Sequence, residues 1–202
     1  MHRFLRPLSA AVFALPMLCA TFASPARAET ALGDVSGNWA GASGQGFVFR
    51  AVLTDEGGQA RLRIWQGMDA ASLQGEAQLD VAPVVYRDNI VAGDKQGLEL
   101  AVGQDASTLK IVTDSDDEQY RFQETVSVQF LDFQFTVVAY DVIVTDFTDP
   151  AQSYACSVDL RANSRVVNGV AESLPPRGFE EDNLSSWGPD AALSKGLCPA
   201  PG

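Results

Sequence analysis

Between residues 47 and 160, apolar and polar positions alternate with a period of two, the signature of half-buried β-strands. Residues 47–54 are apolar apart from Arg50 and Thr54, and Asp55-Glu56-Gly57-Gly58 follows as a turn. Residues 59–66 place Ala60, Leu62 and Ile64 on one face and Arg61 and Arg63 on the other. Shorter strands are predicted over 73–79, 83–86, 90–92 and 98–102, with Gly93-Asp94-Lys95-Gln96-Gly97 as a hairpin loop between the last two. Strands over 109–113 and 120–123 flank the acidic turn Asp114-Ser115-Asp116-Asp117-Glu118.

The run 126–147 contains no glycine or proline, and its alternation changes phase twice. Val126, Val128 and Phe130 share one parity, Phe133, Phe135 and Val137 the other, and Val138, Tyr140, Val142 and Val144 return to the first. A one-residue slip turns side chains to the opposite face unless a bulge absorbs it. Bulges are therefore expected near Phe130-Leu131 and Val137-Val138 in one bent strand; a tight turn near Val138 would instead make two. Tyr154, Cys156, Val158 and Leu160 form the last clean alternation. Leu174-Pro175-Pro176-Arg177-Gly178 then breaks regular structure, and residues 188–196 read as a short helix with Pro189 at its first position and Gly196 just beyond it.

About nine short strands spaced roughly 8 to 12 residues apart predict an all-β fold. The expectation is a single antiparallel β-barrel of about 8–9 strands over residues 29–170, with a C-terminal extension over 171–202 that packs its short helix on the barrel. Several strands fall short of the roughly ten residues a membrane barrel needs, so a soluble barrel is expected.

Composition changes this picture in three places. Arg3 and Arg6, the uncharged stretch from Leu8 to Phe22, and Ala26-Arg27-Ala28 have the layout of an export signal cleaved after Ala28, implying a periplasmic or secreted protein. Cleavage removes three arginines and no acid, carrying the formal charge from −12 to −15. Such a surface repels phosphate backbones, so no nucleic-acid partner is expected. No later apolar stretch is long enough to span a membrane as a helix.

The only histidine, His2, leaves with the leader. The mature chain then lacks the imidazole that Ser-His-Asp and Cys-His catalysis and most zinc sites require. Cys156 and Cys198 remain, and in an oxidising compartment such a pair is most simply a disulfide tying the C-terminal helix to the last strand. No catalytic residue, cofactor or metal is expected. Asp114, Asp116, Asp117 and Glu118 lack the glycine and distal glutamate of an EF-hand and read as an exposed turn. Asp132 and Asp141 are the carboxylates that would serve a glycosidase, were they paired.

The glycine-rich stretch over residues 33–46 precedes a strand, not a helix, and no lysine occurs before Lys95; a phosphate loop needs the opposite arrangement. Within it, Gly37-Asn38-Trp39 resembles the G-x-W that opens lipocalins and related calycin barrels. In that family the tryptophan closes one end of an eight-stranded barrel and an arginine from the last barrel strand packs across it. The resemblance gives Trp39 and Arg161 those roles, joined by cation–π packing. It also implies a lipocalin-like ligand cavity, which Phe47, Phe49, Trp65, Phe133, Phe135 and Tyr140 would line. The expected function is an exported, non-catalytic β-barrel protein binding a small apolar or amphipathic ligand. The alternative is a module that engages a protein partner, such as an inhibitor of an exported enzyme.

Overall fold

The computed structural model describes residues 30–44, 47–67, 69, 71–73, 81–93 and 95–200. The expected leader lies outside these residues, as does all but Leu73 of the strand predicted over 73–79. The described strands are β1 (Thr30–Asn38), β2 (Val48–Asp55), β3 (Ala60–Gly67), β4 (Val85–Asp88), β5 (Gln96–Val102), β6 (Ser107–Asp116), β7 (Tyr120–Leu131), β8 (Gln134–Asp146), β9 (Tyr154–Asp159), β10 (Ser164–Val167) and β11 (Val170–Ser173). A one-turn helix, α1 (Ala191–Ser194), follows. Residues 90–92, expected as a strand, form a bend that buries Ile90 and Val91.

The fold is all-β and antiparallel, but it is two sheets and not a closed barrel. Their orders are β1-β2-β3-β4 and β11-β10-β9-β8-β7-β6-β5. Phe49, Leu53, Leu62 and Ile64 of the first sheet join Leu109, Ile111, Val126, Val128 and Val158 of the second in one buried cluster. On one side β1 runs alongside β5, and glycine permits the approach. A Cβ at Gly33 would lie 2.9 Å from the Leu98 amide nitrogen, and one at Gly37 would lie 2.7 Å from Leu100 Cδ2. This is what the glycines before Trp39 do. On the other side the outer strands β4 and β11 are not paired, so the sheets stay open there.

The two phase slips in residues 126–147 have different causes. At Val138 the chain has a bulge: Ser127 faces Ala139 and Val128 faces Val137, leaving Val138 as the extra residue. The other slip is a hairpin turn. Asp132 and Phe133, with φ of 47° and 62°, connect β7 directly to β8. Two successive positive φ values suit a two-residue turn between twisted strands, yet the favoured pair there is Asn-Gly. Phenylalanine in this region is strained.

The open side is covered by the C-terminal segment. Asn183 bridges to Thr136 at the start of β8, before β9 joins that strand. Leu184, Trp187, Ala192 and Leu197 are all buried against the sheets, and Arg87 of β4 donates to the Trp187 carbonyl. The helix is shorter than the sequence predicts, with Pro189 and Asp190 before its first turn. It ends in a Schellman-type cap: Gly196 has φ of 68°, its N–H donates to Leu193 O, and Leu197 N–H donates to Ala192 O. The cap turns the chain so that Cys198 reaches Cys156 of β9, and the disulfide forms. Its sequence separation of 42 corresponds to about 4 kcal/mol in the chain-entropy model.

The hairpin turn generates a prediction. Phe133→Gly should raise stability by about 0.5–1 kcal/mol, a few degrees in Tm, because glycine adopts positive φ without strain. A thermal melt that falls on this substitution would show that the ring contributes more by packing than the backbone loses by strain.

Candidate functional site

The three central strands of the larger sheet bring their inward residues into rows. Phe122 of β7 faces Val144 of β8, which faces Tyr154 of β9; in the next row Glu124 faces Val142, which faces Cys156. In the third row Val126 faces Tyr140, which faces Val158. The period-two geometry of β7 points Phe122, Glu124, Val126 and Val128 to the same side, so an acid stands where a core residue is expected. Glu124 is 1% exposed.

Above this floor lies a cavity of about 240 Å³, roofed by Pro189, Asp190, Ala192, Leu193 and the Cys198-Pro199 pair. The disulfide therefore joins floor to roof. A second tie is the Tyr154 hydroxyl, which donates to Pro199 O at 2.8 Å. Tyr140 lines the cavity on one side and meets the buried Trp187 on another, with ring centroids 5.9 Å apart.

Glu124 Oε2 accepts the Ala92 N–H at 2.6 Å, while Oε1 has no hydrogen-bond partner among the described residues. Burial pushes its pKa up to about 7, and the charge of Asp190 at the cavity mouth adds to the rise. The Ala92 N–H and the neighbouring Tyr140 hydroxyl oppose it. The hydroxyl is close enough to favour the ionised carboxylate, without reaching hydrogen-bond geometry to Oε1. Burial in turn drives the Tyr140 phenol far above its ordinary value, with the Glu124 charge reinforcing the shift.

Of the residues expected to line a pocket, Tyr140 alone is here. Phe49 is buried at the opposite end of the sheets, stacked on Trp39 at 3.8 Å, and Phe135 meets the same indole edge-on at 5.8 Å. Trp65 points to the outer face of its sheet, packs with Val52 and Leu73, and donates Nε1–H to Val81 O. Phe47 and Phe133 are 49% and 82% exposed and flank Phe130. Arg161 is at Gln129, not over Trp39; among the described residues the guanidiniums that lie over rings are those of Arg61 on Tyr86 and Arg63 on Trp65. Asp132 sits in the exposed hairpin turn, whereas Asp141 accepts from the Ser157 hydroxyl midway along β8. The acidic turn is tied by its neighbours: Asp114 pairs with Arg121 of the same hairpin, Asp116 with Lys95 just before β5, and Asp117 accepts two backbone N–H groups. Glu124 escaped the sequence reading, although its parity with Phe122, Val126 and Val128 marks it as inward.

The carboxyl makes stability depend on pH in a definite direction. Its folded pKa is raised from 4.5 to about 7, so the unfolded chain releases this proton first. The contribution is fully present below pH ~4.5 and is lost as pH rises through ~7, by about 3 kcal/mol in all. Glu124→Gln should flatten this part of the stability curve between pH 4.5 and 8 and raise Tm at pH 8. An unchanged slope in parallel denaturant melts would mean that Glu124 is ionised in the folded protein throughout. No protein family, curated protein or solved structure matches the chain.

Proposed function

We propose that the chain is an exported, non-catalytic binding protein that holds a small apolar or amphipathic molecule in the cavity beneath its C-terminal segment. The observation that carries this reading is Glu124: a fully buried carboxyl with one unpartnered oxygen, set among Phe122, Val142, Val144 and Tyr154. An unpaired buried carboxyl oxygen costs stability, about 1–3 kcal/mol or more. A small apolar pocket with a few convergent polar groups is the ordinary form of a ligand site. A cavity of about 150 Å³ suffices to hold benzene, and this one is larger. Export rests on the leader-like residues 1–28, and the disulfide is compatible with an oxidising compartment. The absence of catalysis is read from the chain's single histidine, which falls in that leader. As in the lipocalin resemblance, the ligand lies against β-strands, but at the end of the sheets remote from Trp39.

Native mass spectrometry of the mature protein, prepared without detergent and then exposed to a lipid extract, tests this. The expected result is an added small-molecule mass that disappears on denaturation and is not acquired by Ala192→Trp, whose indole would fill the cavity from the roof. A clean apo mass under both conditions would refute the reading.

The exposed aromatic end favours a second reading, a surface for a protein partner. Phe47 and Phe133 both hold left-handed backbone, with φ of 55° and 62°, while exposing rings to solvent. Strain of this kind is retained where function requires it. A photo-crosslinker at position 133 in the exported protein should join one discrete partner that the likewise exposed position 170 does not. Identical adducts from both positions would count against this surface.

A further inference from the structure

We propose that the cavity beneath the C-terminal segment selects a cation: a primary ammonium group on an apolar body, with its nitrogen directed toward the Glu124 carboxyl. This rests on the reading of that cavity as a ligand site and adds the chemical class of the occupant.

The sign of the lining decides the class. Two carboxyl groups, Glu124 on the floor and Asp190 at the mouth, share the cavity with the rings of Phe122, Tyr140 and Tyr154. No lysine or arginine is among the described residues that line it. A carboxylate-bearing ligand would meet two like charges with no guanidinium or ammonium to offset them. A neutral alcohol would satisfy the hydrogen-bonding capacity of Oε1 but leave an ionised Glu124 buried without a counter-charge. An ammonium group satisfies both, since it brings three N–H donors and the missing positive charge. Aromatic faces around it are also favourable to a cation. The apolar floor of Val142 and Val144 receives the rest of the molecule. Beyond the site, the acidic chain, with a formal charge of −12, raises the local concentration of cations.

Glu124 occupies the right place for this role. Its other oxygen is fixed by the Ala92 N–H, so the free oxygen has a set direction, and the strand pairing on both sides of β7 and β8 holds the backbone. The carboxyl is therefore held in place, and its charge acts on the cavity from within the floor.

Isothermal titration of the oxidised mature protein at pH 8 tests the proposal with three probes of similar length: n-hexylamine, n-hexanol and hexanoate. The expected result is amine binding at least tenfold tighter than alcohol binding, with hexanoate weakest. Glu124→Gln should reduce amine affinity to the level of the alcohol. Asp190→Asn, at an exposed position, should weaken the amine several-fold at low salt without altering the fold. Alcohol bound as tightly as amine in the unmodified protein would overturn the cation assignment while the ligand site stands. Failure of all three probes, together with a clean native mass, would overturn both.

Discussion

Two sheets that pack face to face without closing leave a seam, and the burial of Trp187 within that seam is the contact on which the rest of the molecule depends. The indole is 0% exposed, its carbonyl accepts from Arg87 of the smaller sheet, and its ring meets Tyr140 of the larger one. One side chain thereby couples the two layers on the side where no strand pairs them. A large aromatic side chain is suited to this because its burial contributes more than any aliphatic residue of the core. The residues on either side, Leu184, Ala192 and Leu197, extend the same cover toward the cavity.

Two of the molecule's unfavourable features lie at opposite ends. At one end Phe47 and Phe133 combine strained backbone with solvent-exposed rings; at the other Glu124 is buried with half its hydrogen-bonding capacity unused. Between them Leu109, Ile111, Leu62 and Ile64 form a continuous apolar core, beside which Thr113 Oγ1 and Trp187 Nε1 are also buried without a hydrogen-bond partner among the described residues. Sites of function are where local rules are expected to fail, because a fully satisfied surface has nothing left to offer a ligand.

How much of this is legible in the sequence differs from element to element. Period-two patterning located β2, β3, β6 and β9 within a few residues, because each buries one face. The bulge at Val138 was legible as a parity change, and the disulfide as a cysteine pair. The hairpin at Asp132-Phe133 showed only as the other parity change and read as a bulge, since its two residues are not those such a turn favours. Barrel closure failed as an expectation because it depends on which edge strands meet, and short-range patterning is silent about that. Aromatic identity likewise predicts burial without location, so the expected pocket residues are spread over two faces and both ends. Tyr140 was found through the aromatic pattern, whereas Glu124 was hidden inside a run that looks apolar on average.

The tie between Cys156 and Cys198 also has a meaning in time. Cys156 lies opposite Val142 in the row of Glu124, and Cys198 follows every described strand in the chain. Domains begin to assemble from their N-terminal parts as the chain is delivered. Both sheets can therefore pair while the seam is still open, with Glu124 and its neighbours facing water. The C-terminal cover of Pro189, Asp190, Ala192 and Leu193 lies over the carboxyl, and the disulfide holds it there. The cavity is roofed by residues that follow every described strand in the chain.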